Sequence, residues 1–442
     1  MTHWTRRLFL ASAGATLIPV SSRAAGVTLN VRDFGAAGDG TAKDTLAVQQ
    51  ALDRAAMLGG GEVLVPAGSY LIGAIRIGSN TTLNLDAGAV LQGSPDLADY
   101  PLTQVRWEGK WIKGYIGLVS AVDADTFAII GQGKVLGSPA IKGRVDKATG
   151  LRHPALLEFV ACKNARIDGV FTQQNDMWSI HPVYCDDIAF KNMMVNGGAD
   201  GIDVDSCTRV VIDNCRFDTA DDCISLKSGR GMEGNTIARP TEDVRISNCT
   251  FRDKNWACIG IGSETSGGVR KVRVEHCVCL SARTFAIYIK SRPGRGAFIE
   301  DIVMRDLDVS GVGGGFLRLN FLDSGKQDEA PVTGLDGIPT VRDFVFEDIR
   351  VHDVPVLVDG VNIHPSKPLD GLTLKNISGT CAAGIKLGNI RRAALSGIDV
   401  TGFTGPLLAT RNVSGTGLDG AVPLPPVGYP LPVPEGKPYV LG

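Results

Sequence analysis

Two stretches of the chain concentrate carboxylates: Gly198-Ala-Asp-Gly-Ile-Asp-Val-Asp-Ser-Cys207 and Thr219-Ala-Asp-Asp-Cys-Ile-Ser-Leu-Lys227. Asp200 and Asp222 lie 22 residues apart, with Asp221 adjacent to the second. Three carboxyls gathered in one small volume repel one another, so at least one must hold a proton near neutral pH. That asymmetry suits glycosidic cleavage, in which a protonated carboxyl serves the leaving oxygen and an ionised one activates water. An inverting arrangement leaves about 6.5–9.5 Å between the two for that water. Asp203, Asp205, Asp213 and Asp218 read instead as turn formers, since Asp bonds readily to nearby backbone. The adjacent pair Asp221-Asp222, ahead of an apolar strand, fits that description poorly.

The elements that must position these residues are repeats. Units begin at Cys162, Cys185 and Cys207, spaced 23 and 22 residues apart. Each alternates apolar and polar residues over one strand length and then meets an Asn, Asp or Gly turn. Weaker copies run through Val244–Phe251, Val272–Cys277, Ile299–Asp306, Val341–Asp348 and Leu369–Asn376. A period near 22 accommodates one coil of a parallel β-helix, stacked on the next at the inter-strand spacing of about 4.8 Å. Asp200 and Asp222 then stack on neighbouring coils at one face. No leucine-rich-repeat pattern is present. The predicted architecture is all-β, a right-handed parallel β-helix over 26–422.

Asp44 to Leu58 has helical spacing, with Leu46, Val48, Ala51, Leu52, Ala55 and Ala56 as its apolar positions. A helix there is expected to cap the open end of the solenoid. Residues 1–25 read as a twin-arginine-type signal, with Arg6-Arg7 before an apolar run too short to span a bilayer. The protein is therefore expected outside the bacterial cytoplasm, periplasmic or extracellular, without a membrane anchor. Residues 423–442 are Pro-rich and read as an extended tail, partly ordered at best. Several of the ten Cys recur at the coil period, which favours small apolar thiols stacked in a core over a disulfide framework or a metal site. A formal net charge of −2 provides no basic field for nucleic acid.

The carboxylate segment resembles glycoside hydrolase family 28, the polygalacturonase family, whose pattern runs N-T-D, D-D, G-H-G and R-I-K. The likeness covers most of the chain after residue 25. It includes Val31-Arg-Asp-Phe-Gly-Ala-Ala-Gly-Asp-Gly40, Leu64-Val-Pro-Ala-Gly-Ser-Tyr70, Trp178-Ser-Ile-His-Pro182 and Ile261-Gly-Ser-Glu-Thr-Ser-Gly-Gly-Val269. The resemblance implies an inverting, metal-free hydrolysis without cofactor. Asp221 would be the general acid, and Asp200 and Asp222 would hold and activate the water. The implied partner is an acidic plant cell-wall polysaccharide or oligosaccharide, and the implied state is a monomer.

Four positions depart from that pattern. Gly198 and Ala199 replace the Asn and Thr, Ala257 stands where the His should be, and Tyr288 replaces the Arg of R-I-K while Lys290 remains. The family's Arg-Lys pair grips a substrate carboxylate, and one Lys lacks the bidentate fork of Arg. An altered specificity, towards rhamnogalacturonan or rhamnosides, is therefore expected. Tyr288, Lys290, Arg292, Arg295, Trp178 and His181 are the candidate substrate-binding residues. Trp178 alternatively packs between coils, His181 and Glu264 alternatively serve the scaffold, and either arginine alternatively lies in solvent. Excursions at 100–115, 228–242 and 322–339 are expected to shape the ends of the cleft. Two other functions remain open from these residues: a β-helix lyase, with the aspartates holding calcium, or a carbohydrate-binding β-helix without catalysis.

Overall fold

The computed structural model describes residues 26–433. The signal-like segment 1–25 and the end of the Pro-rich tail lie outside the described residues.

The chain winds into a right-handed parallel β-helix. On one face, strands Ile75–Arg76, Val119–Val122, Leu157–Val160, Ile180–Val183, Ile202–Asp205, Ile224–Lys227, Ile259–Ile261, Phe285–Lys290 and Gly315–Asn320 pair in parallel, each on the next. Alternation along these strands sends every second side chain inward. One inner row reads Leu157, Ile180, Ile202, Ile224, Ile259, Ile287 and Leu317 in register, all fully buried. Each such aliphatic side chain contributes about 1.5–3 kcal/mol by leaving water. The intervening outward row contains Glu158, His181, Asp203, Ser225, Gly260, Tyr288 and Arg318, so polar groups of successive coils share one surface.

Cysteines repeat because equivalent positions stack. Cys185 and Cys207 lie one above the other, and the Cys185 backbone N–H donates to the Cys207 Sγ at 3.3 Å. All ten cysteines are free and buried. The turns repeat too. Asn192, Asn214 and Asn248 adopt left-handed backbone with φ of 53°, 53° and 55°, which Asn tolerates best after Gly. Their side chains bond from coil to coil, Asn214 Nδ2 donating to Asn192 Oδ1 at 2.7 Å and Asn248 Nδ2 to Asp213 Oδ1 at 2.8 Å.

Helix Thr45–Met57 covers the first coils, burying Ala47, Val48, Ala51, Leu52 and Ala55. Its apolar face is narrower than the spacing suggested, since Leu46 is 68% exposed and Ala56 also faces solvent. Asp44, at its start, accepts backbone N–H bonds from Ala37 and Gly38 and so ties the preceding turn to the helix. Residues 424 to 433 carry no regular structure and are tied to the body of the fold by hydrogen bonds. Tyr429 Oη accepts from Asn389 and Arg411, and the Val433 carbonyl accepts from the Gly334 N–H.

All three expected excursions carry regular structure, the third only a 3-10 turn, Leu335–Gly337. Residues 102–115 form an antiparallel hairpin, Leu102–Trp107 with Lys110–Tyr115, and the second excursion contains helix Gly231–Ile237. All three interlock. Arg230 pairs with Glu108 at 3.3 Å and Asp328 at 3.1 Å, and Lys326 with Glu108 at 3.2 Å. Arg106 pairs with Glu233 at 2.6 Å.

With every thiol enclosed in the coil interior, iodoacetamide should label none of the ten in the native protein and all ten after denaturation. Mass spectrometry of the two samples checks this.

Candidate active site

Asp200 and Asp222 immediately precede adjacent strands on the outward-facing edge. The Asp222 carbonyl accepts from the Gly201 N–H at 3.0 Å and the Asp200 carbonyl from the Ser179 N–H at 3.0 Å, the backbone signature of one-coil stacking. Asp221 lies beside Asp222, and its Oδ1 accepts the Asp222 N–H at 3.0 Å. The three carboxyls spaced by the repeat therefore do meet.

Their environments differ. Asp200 is 5% exposed and paired with Lys227 at 3.1 Å. Burial opposes its charge, but Lys227, a hydrogen bond from Asp203 and Arg144 outweigh burial and hold the Asp200 carboxyl below its ordinary range. Asp222 is 2% exposed and bonded to Lys290 at 2.8 Å. Burial, reinforced by Asp200 and Asp221, overcomes the pull of Lys290 and raises Asp222 to about 7. Burial and Asp200 also raise Asp221, against Arg144. One carboxyl is thus held ionised while two are pushed towards the protonated form. Asp221 is the most accessible of the three, with 27% of its side chain exposed.

Four aspartates read as turn formers behave differently. Asp203 and Asp205 lie within strand Ile202–Asp205, buried and facing outward on the cleft row. Asp203 sits 2.5 Å from Lys227 Nζ and is pushed well up by burial and by Asp200. Asp205 is paired with the buried Arg106 at 3.0 Å. Asp213 accepts from Ser247 and Asn248 of the next coil, and Asp218 pairs with Lys254 at 2.8 Å. Each has a partner outside its own turn, which period-two alternation, not turn chemistry, arranges.

The candidate binding residues divide. Lys290 belongs to the site, 8% exposed and engaged with Asp222. Tyr288 is one strand position pair away, also nearly buried. Its Oη is tied to Ser324 at 3.1 Å and Asn320 at 3.3 Å, and its ring stacks on Trp256 at 6.3 Å. Trp178 is 2% exposed and forms the wall behind Lys227, whose Nζ lies 4.0 Å from its ring centroid. His181 is fully buried, 3.5 Å from Glu158, and burial lowers its pKa. Arg295 is fully buried and donates to the Ser263 and Lys326 carbonyls. Arg292 donates to the Gly325 carbonyl at 2.5 Å. Trp178, His181 and Arg295 are thus enclosed by protein and have no face for a sugar, and both arginines brace the 322–339 excursion. Glu264 is 9% exposed, and its carbonyl accepts the Ser228 N–H at 2.7 Å, a bond that holds the neighbouring turn.

Four contributors escaped the sequence reading: Lys227, Asp203, Trp256 and Arg144. The coil spacing carried a signal for Lys227, which stands in register above Asp205. Trp256 precedes the position of the missing His and is 40% exposed. Arg144 had no signal. It reaches Asp221 from an excursion 77 residues earlier, Nη2 to Oδ2 at 2.6 Å. The departures also have local causes. A methyl group on Gly198 would run into the Asn175 carbonyl oxygen, so an Asn does not fit there, and Ala199 packs under Trp178 with Met177.

The hairpin closes the site on the side of the earlier coils. Arg152, fully buried, donates to the Arg106 and Tyr115 carbonyls of the hairpin and to Glu158 at 2.6 and 2.9 Å. Trp107 packs against Met177, Trp178 and Ala199. Outward residues Glu158, His181, Asp203 and Asp205 consequently have exposures of 3%, 0%, 0% and 1%.

A parallel β-helix bearing clustered carboxyls in unequal charge surroundings defines a carbohydrate-active class of protein. Within that class the chain belongs to the glycosyl hydrolases family 28, whose pattern matches residues 59–391; it is a polygalacturonase-like glycoside hydrolase. It is 28% identical over 373 residues to a probable polygalacturonase of Vitis vinifera, covering 80% of this chain and 74% of that one. It is 23% identical over 457 residues to an exo-poly-alpha-D-galacturonosidase of Dickeya chrysanthemi, covering 89% and 72%. Its fold is similar to a hyperthermoactive exopolygalacturonase from Thermotoga maritima, with TM-score 0.71, 24% identity and coverage of 84% and 92%. It is likewise similar to a family 28 exopolygalacturonase of Yersinia enterocolitica, with TM-score 0.75, 20% identity and coverage of 91% and 79%.

Gly260 lies on the outward row directly beneath the Asp222 carboxylate, which a Cβ there would strike. Gly260→Ala should therefore displace Asp222 and lower kcat by about 10²-fold or more, while far-UV circular dichroism stays that of the wild type.

Proposed function

We propose that this protein hydrolyses a pectic polysaccharide with inversion, acting at chain ends. The clustering of three carboxyls in unequal charge surroundings, with Lys227 on Asp200, Lys290 on Asp222 and Arg144 on Asp221, is the observation that carries the reading. Asp221 is the general acid: it is the accessible carboxyl and environment favours its protonated form. It gives its proton to the leaving oxygen as the glycosidic C–O bond breaks. Asp200, kept ionised by Lys227, takes a proton from the attacking water, and Asp222 orients that water while anchored to Lys290. The new C–O bond forms on the opposite face of the sugar, so the anomeric configuration inverts.

Two finer features follow from the surroundings. The enclosed row beneath the hairpin favours a pocket for a terminal unit over a groove for a continuous polymer, in keeping with the exo-acting name of the Dickeya chrysanthemi relative. The Tyr288 hydroxyl, engaged by Ser324 and Asn320, replaces a guanidinium, so the sugar at that position need not be galacturonate. A mixed polymer such as rhamnogalacturonan or a rhamnose-bearing oligosaccharide satisfies both. The monomeric chain would meet this substrate after export by its twin-arginine-like leader.

Reducing-end release from polygalacturonate, rhamnogalacturonan and rhamnosides tests the reading. Asp221→Asn should slow release by about 10²- to 10⁴-fold. Products should be single units from the first time point, without the ultraviolet absorbance of an unsaturated sugar; that absorbance would establish a lyase instead. Wild-type kcat/KM should fall on the alkaline side as the Asp221 carboxyl loses its proton, and this limb should lie above the ordinary aspartate range because burial and Asp200 raise that carboxyl. Glycan binding without release would make the protein a non-catalytic binder.

A further inference from the structure

We propose that Arg144 reads the carboxylate of a uronate in the substrate, exchanging its ion pair with Asp221 for one with the sugar. The inference rests on the hydrolytic reading above and assigns the specificity-determining cation within it.

Three cations stand around the carboxyls. Lys227 and Lys290 have side chains only 7% and 10% exposed, and both are engaged by aspartates. Arg144 is different, with 38% of its side chain exposed. One of its five N–H groups, on Nη2, bonds to Asp221; the others have no hydrogen-bond partner among the described residues. A planar guanidinium with vacant donors is matched to a carboxylate's two oxygens.

Its backbone is fixed while its side chain is not enclosed. The Arg144 carbonyl accepts the His153 N–H at 3.0 Å, the Gly143 carbonyl lies 2.9 Å from His153 Nδ1, and the Gly143 N–H donates to Asp176 at 2.7 Å. The guanidinium is therefore partly exposed on an anchored base. Asp221 is faced by Arg144 from this excursion, by Asp200 from the preceding coil, by Lys290 from a later strand and by Asp253 from the end of strand Thr250–Asp253, besides Asp222 beside it. Of these, Arg144 is the cation in direct contact with Asp221. Losing it to a sugar carboxylate removes the strongest influence keeping Asp221 ionised, so an acidic substrate would switch on the proton donor that cleaves it.

The test uses the full chain with Arg144→Gln and Arg144→Lys. The probes are oligogalacturonates and rhamnogalacturonan oligosaccharides, each in native and carboxyl-reduced form. Arg144→Gln should lower kcat/KM on the native form by about 10- to 100-fold and on the reduced form far less, so discrimination between the two collapses. Arg144→Lys should recover part of it. With Arg144→Gln the alkaline limb of kcat/KM should also move to higher pH, because Asp221 keeps its proton longer without the cation. Equal losses on both forms with an unmoved alkaline limb would overturn the proposal and leave Arg144 a structural partner of Asp221. A wild-type enzyme inert on every probe would overturn the hydrolytic reading instead, and this inference with it.

Discussion

Parallel, in-register pairing of successive coils governs this molecule. Backbone hydrogen bonds hold neighbouring strands at about 4.8 Å, so a residue type placed once per coil becomes a continuous row. Inside, rows of Ile, Leu and Cys form the buried core. Outside, the same rule forces Asp200 onto Asp222, a contact that like charges would not choose. The structure relieves the repulsion from a different row, with Lys227, in register with Asp205, beside Asp200 and with Lys290 beside Asp222. Each lysine serves a different carboxyl and the compensation is unequal, so Asp200 is held below its ordinary range while Asp221 and Asp222 are raised.

Burial sets how strongly the charges act on each other. The hairpin 102–115 and the excursions at 228–242 and 322–339 exclude water from the rows they cover, and they do so with charges of their own. Arg106, at 1% exposure, is shared between Asp205 and Glu233. Removing one member of such a buried set strands its partner, which typically costs about 3–5 kcal/mol. The excursions thus form one braced wall rather than three independent loops. The low dielectric behind that wall lets desolvation dominate the shifts at Asp203 and Asp222.

Departures from the family pattern are resolved locally. Gly198 is imposed by the Asn175 carbonyl, which leaves no room for a side chain. Gly260, outside those departures, makes room for the Asp222 carboxylate of the preceding coil. Tyr288 gives up the charge of the family's Arg but gains a stack with Trp256 and two hydroxyl partners. These exchanges leave the three aspartates together while altering what surrounds them.

The sequence by itself determined the solenoid, its coil period, the inward rows and the meeting of Asp200, Asp221 and Asp222, because each follows from local spacing under a fixed repeat. It also contained the pairing of Asp205 with Lys227 in register, although a one-coil step was needed to see it. Turn preference misread Asp203 and Asp205, since alternation within a strand overrides the habits of an isolated Asp. Only the tertiary structure decided the enclosure of Trp178, His181 and Arg295, because the covering hairpin and excursions come from distant turns. The same holds for Arg144, 77 residues from Asp221. Its contact depends on how one excursion folds across the coils, and no periodicity in the chain encodes that path.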